Sequence, residues 1–133
     1  MSKTNGHVKT TDLTLGVVIP VVTTGVAYTE TFVCLPNVTY AFEYQFTSAG
    51  AVDAKIEIEQ GNTPPVTEGA ISTNMVVPED AADFDVSITD ELNHIKAYTP
   101  AAVRFLRAKI TGQGANAATT TLSKFDVCTI VNL

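Results

Sequence analysis

The segment 38–48 alternates strictly between two kinds of side chain. Its even-numbered positions from 38 to 46 are all apolar or aromatic: Val38, Tyr40, Phe42, Tyr44 and Phe46. The odd-numbered positions between them are polar or small. Side chains of an extended strand point to opposite faces in turn, so an aromatic stripe with period 2 predicts a strand buried on one face.

A second alternating segment, 52–59, follows after a short run of small residues at 48–50. Its apolar positions are 52, 54, 56 and 58, and charged residues stand between them. Two alternating runs joined by a short link of turn residues are typical of a β-hairpin. The sequence therefore predicts that 38–48 and 52–59 pair as an antiparallel hairpin.

Strand-like patterns continue along the rest of the chain. They cover six further segments: 12–19, 26–35, 84–88, 95–98, 102–111 and 119–131. Prolines at positions 64, 65 and 78 predict an irregular stretch over most of 61–83. No run of 12 residues has helical periodicity. Seven to nine short strands separated by turn signals predict an all-β fold, an antiparallel β-sandwich that is jelly-roll-like.

Length and composition fit one domain. The chain has 133 residues, of which 45% are hydrophobic, enough for one packed core. Residues 1–11 are polar and predict an extended N-terminal arm, followed by a single β-sandwich domain over 12–133. The sequence has no apolar run near the roughly 20 residues that a membrane-spanning helix needs. We therefore expect no membrane partner.

Charge is scarce and unevenly distributed. Only 17% of residues are charged, and the net charge of −6 argues against a nucleic-acid partner. Ten acids and one base lie within 53–91, whereas from 96 onward five bases face one acid. This polarity suits contact between copies of the chain. A surface poor in charge and rich in Thr, Ala and Val also suits burial between subunits.

Arginines on a predicted strand are candidate interface residues. The alternation of 102–111 places Arg104 and Arg107 on opposite faces, and both faces also carry apolar residues. The strand is therefore predicted to be central, or covered on both sides. An arginine among apolar neighbours usually meets a carboxylate or an interface. Two alternatives stay open: pairing with an acid of the same chain, or pairing across subunits.

Catalytic and metal-binding patterns are not evident in the sequence. It contains no nucleophile-elbow, zinc-protease or phosphate-loop motif, and its two histidines lie in the arm (His7) and near a loop (His94). We expect a protein that is not an enzyme, with no catalytic residues, cofactor or metal. Cys34 and Cys128 are predicted to be buried thiols, with a disulfide across neighbouring strands as the alternative. The acidic segment 79–85 is read as a solvated loop, with Ca²⁺ binding or contact with another copy as alternatives.

Two stretches resemble small β-sandwich proteins encoded among the virion genes of tailed bacteriophages. Residues 96–122 contain the run Phe-Leu-Arg, a Gly/Asn-rich turn and a Thr-rich strand, and are similar to the closing hairpin of those proteins. Residues 54–62, Ala-Lys-Ile-Glu-Ile-Glu-Gln-Gly-Asn, are similar to the strand before their long loop. Together the two stretches cover about a third of the chain.

The resemblance implies a structural role without catalysis. It implies a capsid-decorating, auxiliary or tail-associated protein that is assembled in the host cytoplasm and located in the virion. Its partners would be copies of itself and other virion proteins such as the major capsid protein. The candidate interface residues are those of the arm and the two strand arginines: Lys3, His7, Lys9, Arg104 and Arg107.

The alternative function is a carbohydrate- or receptor-binding module of the adhesin type. Such a module would use the irregular stretch 61–83 and exposed aromatic rings. Tyr40 and Tyr44 belong to the predicted core stripe, which leaves Tyr28 and Tyr98 as candidate glycan contacts.

Overall fold

The chain folds as two antiparallel β-sheets packed against each other, and the described residues contain no helix. A computed structural model describes residues 7–9, 19–20, 25–35, 37–78, 86–100, 104–113 and 119–131. The strands in chain order are β1 (His7–Lys9), β2 (Ile19–Pro20), β3 (Val26–Tyr28), β4 (Phe32–Val33), β5 (Thr39–Ser48), β6 (Ala54–Gly61), β7 (Val86–Ile88), β8 (His94–Tyr98), β9 (Phe105–Gly112) and β10 (Thr120–Val131). The predicted antiparallel β-sandwich is thus confirmed.

Each sheet has four strand positions, the first of which is shared by two short strands. In sheet A the order is β1-β10-β5-β8, and β2 also pairs with β10. Because β5 occupies one edge of β10 along almost its full length, β1 and β2 lie in line on the other edge. In sheet B the order is β3-β9-β6-β7, and β4 lies in line with β3 on β9 by the same reasoning.

The core lies between the sheets and is built from the inward stripe of each strand. The aromatic stripe of β5 is buried as its alternation predicts, at Tyr40, Phe42, Tyr44 and Phe46. Sheet B contributes aliphatic residues to the same core, three from β6 and three from β9: Ala54, Ile56, Ile58, Leu106, Ala108 and Ile110. The outer face of each sheet is therefore available to other elements or to partners.

The predicted hairpin of 38–48 with 52–59 is wrong. β5 lies in sheet A between β10 and β8, whereas β6 lies in sheet B between β9 and β7. The link 49–53 therefore crosses from one sheet to the other. The alternation of a sequence indicates which face of a strand is buried, but it does not indicate which strand lies beside it. The apolar stripes of β5 and β6 are buried equally well when the two strands lie in different sheets and face each other across the core.

The last two strands, β9 and β10, also lack the hairpin pairing that was expected of them. β9 and β10 are consecutive in the chain, yet they lie in different sheets and do not form the hairpin that the resemblance suggested. The central position of β9 between β3/β4 and β6 does confirm the prediction drawn from its two apolar faces.

Part of the predicted arm joins a sheet. The backbone of β1 pairs with Thr129–Val131 at the end of β10. Lys3 lies outside the described residues, as does most of the predicted strand 12–19. The described part of the chain has no helix long and apolar enough to span a bilayer.

Candidate interaction surface

A closed loop leaves the end of β6 and returns beside it. Gln60 and Val76 exchange two backbone hydrogen bonds, each 2.8 Å long, so residues 61–75 form a loop whose ends meet. Compact loops of 6–16 residues with adjacent ends are Ω-loops, and these often carry function. We call residues 61–75 the Ω-loop.

The Ω-loop is held together by its own polar groups. The hydroxyl oxygen of Ser72 accepts hydrogen bonds from the backbone N–H groups of Val66 (3.2 Å) and Asn74 (3.1 Å). The Asn74 amide in turn donates to the Pro64 carbonyl oxygen at 2.9 Å. Gly61 lets the returning chain come close, because a Cβ there would collide with the Asn74 carbonyl oxygen. These contacts give the loop a defined shape.

Two further hydrogen bonds fasten the Ω-loop across the outer face of sheet B. Arg107 on β9 donates from Nη1 to the Ala70 carbonyl oxygen at 2.9 Å. The Glu68 carboxylate accepts a 2.7 Å hydrogen bond from the backbone N–H of Thr31, which precedes β4. The loop therefore reaches from β6 over β9 to the β4 edge.

Beneath the loop, Arg107 forms a buried ion pair with Glu59. The two residues stand opposite each other on β9 and β6, and Arg107 Nε and Nη2 lie 3.2 and 3.1 Å from Glu59 Oε1. The Arg107 guanidinium also lies over the Tyr28 ring, 3.8 Å from its centroid. Of the two alternatives for Arg107, the structure has the pair within the chain, and its side chain is fully buried.

The Arg107–Glu59 pair also determines the electrostatic environment of Tyr28. Burial raises the pKa of its phenol, and the nearby Glu59 carboxylate raises the pKa further, while Arg107 lowers it. One face of the Tyr28 ring is occupied by the guanidinium. The outward side chains of β3, β6 and β9 thus act as a platform for the Ω-loop.

Exposed large apolar side chains concentrate around the Ω-loop and β4. Ile71 is 83% exposed, Val66 77% and Val33 70%. Six of the nine such side chains in the described part of the chain belong to this end of sheet B, and we call them the apolar surface: Val33, Leu35, Val66, Ile71, Val76 and Val77. The other three lie elsewhere: Val26, Leu92 and Ile95.

Two exposed charged residues, Glu30 and Arg104, lie near the ends of β4. Glu30 precedes β4 and is exposed. Arg104 is exposed beside the other end of the strand, where its carbonyl oxygen accepts a 2.8 Å hydrogen bond from Cys34. The Arg104 guanidinium carbon lies 6.0 Å from the centroid of the Phe105 ring, at the outer limit of a cation–π contact.

A second polar cluster lies at the other end of the sandwich. Asp90 Oδ1 is 2.8 Å from His94 Nε2, and the His94 ring stacks on Tyr44 with centroids 5.5 Å apart. The hydrogen bond from His94 lowers the pKa of the Asp90 carboxyl group, and burial raises the pKa of Tyr44. The neighbouring Glu91 carboxylate accepts a hydrogen bond from the Ser48 backbone. This cluster closes the turn between β7 and β8.

The predicted glycan contacts do not lie together on an open surface. Tyr98 is only 6% exposed, and its hydroxyl donates to Gln60 at 2.8 Å. Tyr28 is half-buried beneath the Arg107 guanidinium. Of the predicted arm residues, His7 and Lys9 are described in their backbone only.

The structure also locates the two thiols. Cys34 is buried, Cys128 is half-buried, and the structure contains no disulfide between them. Burial raises the pKa of the Cys34 thiol. The acidic segment 79–85 lies outside the described residues. Within the described ranges, no three His, Cys, Asp or Glu side chains come close enough to hold a metal ion.

Sequence reasoning did not single out the apolar members of the Ω-loop. Val66 and Ile71 stand in the run Pro-Pro-Val-Thr-Glu-Gly-Ala-Ile, where no periodicity assigns them to a buried face. Isolated apolar residues in a proline-rich stretch were the only available signal. No protein-family model matches the chain, and no curated protein matches it either.

Proposed function

We propose that this protein is a non-enzymatic structural protein that assembles with copies of itself and with other proteins through the apolar surface. The observation that carries the proposal is the exposure of Val66 and Ile71 on a loop that is fastened at both ends and across its middle. A mobile loop could turn such side chains inward, but a fastened one keeps them in water.

Keeping them in water is energetically unfavourable. Burying a Val, Leu or Ile side chain is worth about 1.5–3 kcal/mol, and this free energy is forgone while the surface is bare. Exposed apolar patches of several hundred Å² on soluble proteins mark sites of interaction. The fastened Ω-loop is therefore best explained as a preformed contact element, because its side chains need not be ordered again on binding.

The strand order supports a particular kind of assembly protein. When the eight positions are numbered along the chain, sheet A reads 1-8-3-6 and sheet B reads 2-7-4-5. Two facing sheets made of eight antiparallel strand positions fit a jelly roll, a fold of viral capsid and lectin domains. Together with the sequence resemblance, this order supports a virion protein of a tailed bacteriophage that decorates or stabilises the capsid or joins virion components.

The carbohydrate-binding alternative receives less support from the same geometry. Sugar rings stack on open aromatic faces, and the hydroxyl and ring of Tyr98 are buried while Tyr28 is stacked with Arg107. The side chains that the Ω-loop exposes most are Val66 and Ile71, which offer no hydrogen bonds to a sugar.

The proposal is tested by asking whether the chain is part of a particle. Particles from a lysate of the cells that produce this chain are banded on a density gradient, and their proteins are identified and counted by mass spectrometry. We expect the chain in the particle band, in a fixed ratio to the major capsid protein, and resistant to a high-salt wash because apolar contacts are not screened.

Recovery of the chain only in the soluble fractions would refute the virion role. A glycan array probed with the purified chain serves as the second arm. Binding of one sugar class by a chain absent from the particles would favour the carbohydrate-binding alternative.

A further inference from the structure

We propose that the Ω-loop closes one edge of sheet B against the addition of another strand, with the Glu68 carboxylate as its clasp. The edge is the side of β4 that faces away from β9, and we call it the β4 edge. No strand in the described part of the chain pairs with it. This inference goes beyond the proposed function, because it concerns backbone groups at the β4 edge and holds whether or not the chain enters particles.

The backbone around β4 shows which groups reach this edge. The Cys34 N–H group donates to the carbonyl oxygen of Arg104, the residue before β9, at 2.8 Å. Successive residues of an antiparallel strand direct their N–H and C=O groups to opposite sides in turn. The N–H groups of Thr31, Val33 and Leu35 therefore point away from β9 and toward the β4 edge.

Side chains of the same chain occupy the two outer donors of this edge. The Thr31 N–H group donates to the Glu68 carboxylate, and the Leu35 N–H group donates to the Tyr40 hydroxyl, each at 2.7 Å. The N–H group of Val33, between them, has no hydrogen-bond partner among the described residues. The β4 edge is thus capped at both ends and open only at its centre.

Without its caps the β4 edge would be suited to strand addition. Edge strands with unpaired backbone groups and exposed apolar side chains are templates for the pairing of further chains. Val33 is 70% exposed and Leu35 is 64% exposed. The Glu68 carboxylate occupies the Thr31 donor with a charge-assisted hydrogen bond, which is about twice as strong as a neutral one. It also places a negative charge where an added strand would bring a carbonyl oxygen.

The clasp belongs to a loop and not to the strand that it protects. Glu68 reaches Thr31 from the Ω-loop, which Arg107 also holds through the Ala70 carbonyl oxygen. Lifting the loop therefore removes the cap without breaking the pairing of β4 with β9. The contact is autoinhibitory in this sense, because a lifted loop leaves an edge that accepts an extended segment of another chain.

Amide hydrogen exchange of the wild-type chain, followed by NMR, tests the closed state. Relative to their intrinsic rates, the Thr31 and Leu35 amides should exchange about tenfold or more slowly than the Val33 amide, because only the first two are hydrogen-bonded at this edge. Equal protection of the three amides would overturn the proposal.

Removal of the clasp tests its role. Glu68→Ala should speed exchange of the Thr31 amide about tenfold or more, since hydrogen bonds to charged groups are the stronger ones. The variant should also gain intermolecular strands, detected by infrared spectroscopy and thioflavin T fluorescence. Glu68→Gln keeps a neutral acceptor, so its Thr31 amide should exchange faster than in wild type and more slowly than in Glu68→Ala.

The matched control is Glu91→Ala. It removes the same charge and a carboxylate that likewise accepts a backbone hydrogen bond, from Ser48 at the end of β5. That strand lies between β10 and β8 and has no open edge. Glu91→Ala should therefore gain no intermolecular strands.

Two double variants locate the added strand. Glu68→Ala/Val33→Pro should lose the intermolecular strands, because proline removes the one N–H group that faces the edge without a partner and leaves the pairing with β9 intact. Glu68→Ala/Val33→Thr keeps this donor while reducing the apolar surface, and it should still gain them. Circular dichroism and thermal unfolding check that every variant retains the fold.

Three results would each overturn the proposal. The first is a folded Glu68→Ala or Glu68→Gln chain whose Thr31 amide exchanges at the wild-type rate. The second is equal strand formation by Glu91→Ala, since loss of charge alone would then explain the assembly. The third is strand formation that persists when Val33 is replaced by proline, because the added strand would then lie elsewhere.

Discussion

Removing one partner of the buried pair beneath the Ω-loop is expected to be the most damaging single change of a polar side chain. The substitution is Glu59→Gln, which keeps the shape of the side chain and removes its charge. The Arg107 guanidinium is fully buried and has two short contacts to the Glu59 carboxylate. In the variant these contacts lose their ionic character, so the buried positive charge of Arg107 is no longer compensated.

The size of the effect follows from these contacts. Breaking a buried ion pair by removing one partner costs about 3–5 kcal/mol of folding free energy, whereas replacing both partners by apolar residues is often close to neutral. The double variant Glu59→Gln/Arg107→Met should therefore lose much less than the sum of its singles. Arg107 also holds the Ala70 carbonyl group and stacks on Tyr28, so part of the loss remains in the double variant.

Two measurements separate the global effect from the local one. Urea unfolding followed by circular dichroism gives the free energy of unfolding of the four members of the cycle. Cleavage by a glutamate-specific protease after Glu68 reports on the Ω-loop alone, since this residue is fastened to Thr31 only while the loop is in place. Arg107→Met should speed this cleavage because the hydrogen bond to Ala70 is lost.

If Glu59→Gln lowers the free energy of unfolding by less than about 1 kcal/mol, the reasoning is refuted, since an effect of that size is expected of a solvent-exposed ion pair. Additive losses in the double variant would refute it as well, because residues in direct contact should couple.

Three further predictions concern the loop, acid stability and the thiols. Gly61→Ala should destabilise the fold by about 1–3 kcal/mol in urea unfolding, since the new Cβ collides with the Asn74 carbonyl oxygen; an unchanged midpoint would contradict this close approach. The lowered pKa of Asp90 stabilises the fold above the carboxyl's unfolded pKa of about 3.9, and this contribution disappears as the pH falls through the lower folded pKa. Asp90→Asn should therefore melt below wild type near about pH 6, and the difference should narrow on acidification; a constant difference would contradict the linkage. Ellman's reagent should modify Cys128 before Cys34, because Cys34 is buried and its thiol pKa is raised, and equal rates would be inconsistent with the structure.

Period-2 patterning located the long strands closely. The segments 38–48 and 119–131 correspond to β5 and β10 within a residue of each end, because a half-buried strand must alternate whatever its partner is. The partners themselves were not predictable in this way. Turn chemistry at 48–50 favoured a hairpin, but burial of both stripes in one core requires only that the strands face each other.

The candidate interaction surface was harder to foresee. The Arg107–Glu59 pair depends on the register of β9 against β6, and residues 48 positions apart carry no local signal of that register. The exposure of Ile71 depends on the hydrogen bonds that fasten the Ω-loop. Composition led us to expect a surface suited to contact, but it could not say where on the molecule such a surface would lie.

The position of β10 in sheet A affects how the protein is made. Three strands formed earlier in the chain, β1, β2 and β5, all pair with this one late strand. At 5–20 residues per second, the ribosome needs roughly 4–14 s to add the 71 residues between the end of β5 and the start of β10. During that interval the aromatic stripe of β5 has neither its main neighbour nor a complete core above it. Nascent chains are therefore expected to depend on chaperones, and slower translation should lower the yield of folded protein.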